Sequence, residues 1–151
     1  MIDPDEQRIL DDIARVGWSL TGVRADEHGP SFVYSIGMMH TLNHPEIIVF
    51  GLDLTLMFNL VNDMGAQIRS GRRFEEPVLY DDVLARFACK VLPVIERHHE
   101  EYLGYAMWHR RHVGKIGTLQ VVQLIWPDKS GLFPDEPGCH PAVVERQPLL
   151  S

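Results

Sequence analysis

The stretch Tyr34-Ser35-Ile36-Gly37-Met38-Met39-His40-Thr41-Leu42-Asn43-His44-Pro45-Glu46 holds the densest polar chemistry in the chain. If the strand ending at Ile36 pairs antiparallel with one starting at Glu46, then Tyr34, Ser35, His44 and Glu46 meet at one end of a sheet. There His44 and Glu46 suit acid–base chemistry, with Ser35 or Tyr34 as nucleophile or hydrogen-bond donor. The alternative is mechanical. Glu46 opens the apolar run Ile47-Ile48-Val49-Phe50, and a carboxylate buried there needs hydrogen bonds or a counter-charge. In that case His44 and Glu46 brace the loop against backbone amides.

Other motifs are less complete. His40 and His44 have the spacing that places two metal ligands on one helical face, but Pro45 drives His44 out of the helical region and removes that geometry. His98, His99, His109 and His112 interleave with Arg97, Arg110, Arg111 and Lys115. On an unbroken helix His98 and His109 lie about 16 Å apart. His109 and His112 could share an ion, but a solvated helix face is the simpler reading. No metal and no cofactor is expected. Of the two cysteines, Cys89 falls on the apolar face of a strand, and Cys139 sits beside His140 in a loop without the context of a thiol protease. Gly51-Leu52-Asp53 leads from a buried run into a helix, where Asp53 reads as an N-cap and the phosphate-loop pattern is absent. Trp126-Pro127-Asp128 is similar to the acid loop of cysteine-dependent tyrosine phosphatases. That chemistry requires Cys-x5-Arg, whereas Ile95 and Glu145 stand six residues after the two cysteines.

The elements that must position these residues are legible in outline. Asp3, Pro4 and Glu6 mark a helix start, with Ile9, Leu10, Ile13 and Val16 on one face and Gly17 as the stop. Trp18 to Val23 and Phe32 to Ile36 read as strands, Gly37 to Pro45 as a loop, and Ile47 to Phe50 as a strand covered on both sides. Met57, Leu60, Val61, Met64 and Ile68 follow a helical stripe that ends at Gly71. Pro77 to Tyr80 and Ala85 to Leu92 read as strands, Ile95 to Val113 as a helix interrupted at Gly104, and Thr118 to Ile125 as the last strand. This order predicts a single α+β domain over 1–151. It comprises a mostly antiparallel sheet of about five or six strands, about three helices, and a loop-rich segment over 126–151.

Composition narrows the function classes. The chain has 151 residues, 45% hydrophobic, with 14 basic against 21 acidic residues and a formal net charge of −7. That sign argues against nucleic acid as a partner. No apolar run reaches the roughly 18–20 residues of a membrane span, and the acidic start MIDPDEQ lacks the pattern of a signal peptide. Two cysteines are too few for a disulfide framework, so a cytoplasmic location is expected.

Taken together, Gly17-Trp18, Phe32 to Met38, His44-Pro45-Glu46, Phe50-Gly51-Leu52, Gln123 to Asp128, Gly131-Leu132-Phe133-Pro134 and Gln147-Pro148-Leu149-Leu150 resemble domain-of-unknown-function family 4262. These are small bacterial proteins, and the likeness covers nearly the whole chain. The family pattern commonly has Thr at Ser35, which keeps a hydroxyl, and an aromatic where this chain has Asp135. The resemblance implies positions rather than a reaction: Tyr34, Ser35, Gln123 and Trp126 as ligand contacts, with His44, Glu46 and Asp128 as the acid–base groups. Gln123 shares a strand face with apolar residues, and the segment 147–150 could fold back to satisfy it. Two functions follow. One is a small-molecule-binding protein, with hydrolysis as the reaction such residues would support, its pocket formed by His44/Glu46 and Trp126/Asp128. The other is a non-catalytic interaction module of immunity, regulatory or adaptor type. The expected partner is a small molecule or a protein, with monomer and homodimer both open.

Overall fold

The computed structural model describes all 151 residues. Helix α1 (Pro4–Val16) begins at Asp3, whose carboxylate accepts from the Glu6 amide at 2.8 Å while Glu6 reaches back to the Asp3 amide at 3.0 Å. Six strands follow: β1 (Ser19–Val23), β2 (Phe32–Ile36), β3 (Glu46–Phe50), β4 (Leu79–Leu84), β5 (Phe87–Pro93) and β6 (Val121–Ile125). They form one sheet in the order β1-β2-β3-β6-β5-β4. Every pairing is antiparallel except β3 with β6, where Glu46 lies opposite Val121 and Val49 opposite Leu124. The fold is α+β.

The central strand explains the two-sided core. Ile47, Ile48, Val49 and Phe50 are each 0% exposed. Because side chains alternate along a strand, Ile47 and Val49 join Met57, Val61, Met64 and Ile68 of α3 (Leu54–Arg69) on one face. Ile48 and Phe50 pack on the other with Ile9 of α1, Leu103, Ala106 and Leu150. The α3 stripe is buried as its periodicity implies, and Asp53 caps the helix through the Leu56 amide.

The structure departs from the sequence reading in four places. Gly37 to Pro45 is not all loop, since it holds the short helix α2 (Met38–Leu42). The segment from Ile95 to Val113 breaks at Leu103 rather than Gly104, giving a 3-10 turn (Glu96–His98), α4 (His99–Tyr102) and α5 (Gly104–His112). The strands around Arg86 run later, at 79–84 and 87–93, because Arg86 makes the turn at a φ of 73°. The segment 126–151 contains α6 (Pro141–Arg146) and is pinned down by buried Trp126, Phe133, Cys139 and Leu150. The helix count therefore rises from about three to six.

Met64 is 1% exposed in the core beneath the sheet. Met64→Ala should cost about 2–5 kcal/mol in a urea unfolding series, the range for a buried large-to-small change. A loss below about 0.5 kcal/mol, the ordinary surface range, would show that α3 does not bury this face.

Candidate functional site

Glu46 is 2% exposed at the start of β3, and three residues bond its carboxyl group. Antiparallel pairing of β2 with β3 brings Ser35 beside it, so that the Ser35 hydroxyl donates to Oε1 at 2.8 Å and itself accepts from the Ile47 amide at 2.9 Å. The first turn of α2 supplies two more donors, Met38 N–H to Oε1 at 3.1 Å and Met39 N–H to Oε2 at 3.0 Å. Gly37 makes that approach possible. Its φ is 97°, and a Cβ there would lie 2.8 Å from Ile13. Burial pushes the Glu46 carboxyl up to about 7 against the opposing pull of the Met39, Ser35, Met38 and Gly37 hydrogen bonds.

His44 does not pair with Glu46. Its Nδ1 lies 2.8 Å from the Pro45 carbonyl, and its Nε2 accepts from the Phe74 amide at 3.0 Å. Those two bonds fix the neutral tautomer with the proton on Nδ1. Burial first, and the Arg73 charge after it, hold the imidazole below its usual pKa. Both ring nitrogens are thus engaged with backbone.

Trp126 and Asp128 stand at the opposite end of the sheet. Because β3 and β6 run parallel, Glu46 begins one strand while Trp126 follows the end of the other and donates its indole N–H to the Phe50 carbonyl at 2.7 Å. Four residues of strand, about 13 Å, separate Glu46 from Phe50. Asp128 Oδ1 accepts from the Ser130 and Leu132 amides, and Oδ2 from the His140 amide, all at 2.9 Å. Those backbone donors hold the carboxyl below the usual range. Gln123 donates to the Pro148 carbonyl at 2.8 Å and accepts from the Leu150 amide at 3.0 Å. Gln147 closes the same strap by bonding both the amide and the carbonyl of Trp126. The residues expected to line one pocket therefore form separate braces, and His44, Glu46 and Asp128 do not converge.

Tyr34 alone among them lines a large cavity. This pocket of about 530 Å³ lies between the β1–β2 edge of the sheet and α4–α5. Its aromatic walls are Phe32, Tyr34, Tyr102, Tyr105 and Trp108, and its charged lining is Glu6, Asp26 and Glu101 against Arg24, with His28 beside them. The Tyr34 hydroxyl accepts from the Tyr105 amide at 3.1 Å, which ties the sheet to α5. Thr21, opposite Tyr34 in the β1–β2 register, buries its hydroxyl beside the phenol. The sequence reading missed this pocket. The signal was the spacing of Tyr102, Tyr105 and Trp108, which places three aromatic rings along one side of consecutive helical turns.

The histidines do not gather into a metal centre, and no three His, Cys, Asp or Glu side chains come together as one. His109 lies edge-on to His40 with ring centres 5.5 Å apart, while His112 stacks on Trp108 at 5.1 Å. Burial, aided by the His40 and His112 charges, pushes His109 down to about 4. A small void of about 10 Å³ is lined by His40, His109 and Glu46, room for a single water. Burial also raises the thiol of Cys139, whose Sγ contacts the Leu132 carbonyl at 3.4 Å, and pushes Cys89 up to about 12. Neither has the character of an activated nucleophile.

Residues 12–140 match the model of a family described as domain of unknown function DUF4262. The chain belongs to DUF4262. No curated protein and no solved structure matches it. The DUF4262 match spans the Glu46, His44 and Asp128 braces together with most of the aromatic pocket. It stops before Gln147 and Leu150, the strap that satisfies Gln123. Asp135 pairs with Lys90 at 3.2 Å, and Lys90 also sits 4.6 Å over the Phe133 ring.

Each Glu46 oxygen receives a backbone N–H, so the amide of Glu46→Gln must point its own N–H₂ at a donor in either orientation. That change should cost about 1–3 kcal/mol, and His44→Ala a similar amount by stranding the Phe74 amide; thermal melts beside the parent check both. A raised native pKa gives Glu46 a stabilising contribution that is complete below the ordinary value of 4.5 and lost as pH rises through about 7. The stability gap between parent and Glu46→Gln should therefore narrow across that window. A gap that widens would reverse the assignment.

Proposed function

We propose that this protein binds a small organic cation in the aromatic pocket. The observation that carries this reading is a cavity of about 530 Å³ walled by five aromatic side chains and bordered by the carboxylates of Glu6, Asp26 and Glu101 against the single guanidinium of Arg24. That volume lies within the range of small-molecule sites. Aromatic faces attract cations through their quadrupoles, most strongly when water is excluded. The local potential supports the same sign. Burial raises the Tyr105 phenol, and Asp5, Asp3 and Glu6 raise it further; burial and then Glu101 do the same to Tyr102.

In this reading Tyr34 is a ligand contact, as the sequence suggested. Ser35, His44, Glu46, Gln123, Trp126 and Asp128 spend their polar atoms on the chain itself and line no part of this pocket. The reading requires no hydrolytic step.

Choline and its uncharged isostere 3,3-dimethylbutan-1-ol provide a direct comparison by tryptophan fluorescence and calorimetry. Choline should bind, the alcohol should bind about tenfold more weakly or not at all, and Trp108→Leu should weaken choline binding by a similar factor. Glu101→Gln, an exposed change, should also weaken it without altering the melting temperature. Equal affinity for cation and isostere, or no response to choline, would overturn the proposal.

A further inference from the structure

The same helical segment has a second flank of opposite charge. A cleft of about 320 Å³ opens between the turn at Glu96–His98, α4, α5 and the loop 114–119. Arg97, Arg110, Arg111 and Lys115 all line it, so the basic residues interleaved with histidines, three of them exposed as a solvated face requires, border one space. Against them stand only Glu96 and Glu100, in a chain whose formal net charge is −7. None of the four cations takes part in an ion pair.

Arg110 is held in place by neutral partners. Its Nη2 donates to the Ile116 carbonyl at 3.0 Å, its Nε to the Gly117 carbonyl at 3.3 Å, and its Nη1 faces Met39 Sδ at 3.7 Å. The guanidinium is thereby oriented while its charge stays uncompensated, an arrangement that suits an incoming oxyanion. His99 forms part of the cleft wall, is 4% exposed, and has a buried Nε2 with no hydrogen-bond partner. Burial keeps the ring below its usual pKa, against the opposing influence of Glu96 and a backbone hydrogen bond to Val94. Neutral His99 thus presents a bare acceptor, and its complement is a ligand with a donor hydrogen.

We propose that this cleft is a binding site for a phosphate monoester or inorganic phosphate, with Arg97, Arg110, Arg111 and Lys115 meeting the charged oxygens and His99 Nε2 accepting from a protonated one. Inorganic phosphate supplies both requirements at once, being anionic and, near neutral pH, still carrying a hydrogen; a monoester, with a second pKa of about 6, carries one in large part only at about pH 6 and below. Sulfate has the same shape and charge but no hydrogen to donate. The site is independent of the aromatic pocket, which lies on the other flank of α4 and α5 and shares no lining residue with it.

Calorimetric titration of the full chain with inorganic phosphate, glycerol phosphate and sulfate tests this directly. At about pH 6, where both phosphates carry a hydrogen in large part, either should bind at least about tenfold more tightly than sulfate, the discrimination expected from one buried acceptor left unpaired. His99→Phe should erase that preference. The double variant Arg111→Gln/Lys115→Gln changes two exposed side chains; it should weaken phosphate at least about tenfold while melting like the parent. Tighter binding of glycerol phosphate than of inorganic phosphate would assign the site to organic monoesters, and the reverse order to the free ion. Equal binding of phosphate and sulfate, no heat with either phosphate, or undiminished binding by the double variant would overturn the proposal. If His99→Phe does not fold, the sulfate comparison and the double variant still decide the matter.

Discussion

A carboxyl group shut away from water must draw its hydrogen bonds from the protein, and Glu46 draws them from a strand and from the first turn of a helix. That requirement fixes the end of β2, the angle at which α2 leaves it, and the residue at which β3 begins. Ser35 serves two masters there, donating to the carboxyl and accepting from the amide that follows it in the neighbouring strand. Once β3 is set, everything stacked on it is set as well: α3 on one face, α1 and α4–α5 on the other. Both proposed ligand sites lie along α4–α5, and so depend at one remove on this buried group.

The molecule repeats one device at several points. Buried polar side chains in and around the central strands are satisfied by backbone atoms of distant segments: His44 by Phe74, Gln123 by Leu150, Gln147 by Trp126. Each bond replaces water at a site from which water is excluded, and a stranded partner would be costly. The polar residues whose types most suggest chemistry are therefore committed to architecture, while residues of plainer appearance surround the open space. Type alone does not tell a brace from a reagent; the partner does.

How much of this was legible in the sequence depends on the range over which each feature is encoded. The capping box at Asp3 and Glu6, the α3 stripe and the two-sided burial of Ile47 to Phe50 are local patterns and could be read directly. So could the meeting of Ser35 with Glu46, because a short connection favours an antiparallel pair. Helix α2 could not, since five residues following a glycine carry no usable periodicity. Nor could the aromatic pocket, whose walls are drawn from residues 6 to 108, or the basic cleft, which needs the break at Leu103 to bring Arg97 around to Arg110 and Arg111. The parallel pairing of β3 with β6 was equally hidden. It separates the ends of the sheet, and with them the residues that sequence alone would have gathered into one site.

The strap from Gln147 to Leu150 bears on the order in which the chain is built. Glu46 and its strand emerge early in translation, yet β3 waits for β6, about 75 residues later, to cover its second edge, and β6 in turn leaves Gln123 and the Trp126 backbone unsatisfied until residues 147–150 exist. Contacts of such long sequence separation form slowly because loop closure must precede them. A nascent chain halted anywhere between these points would hold an open strand edge and buried polar groups without partners, the condition in which folding intermediates associate with one another. The centre of the sheet is thus completed only once residues 147–150 have been made, about a hundred residues after its first strand.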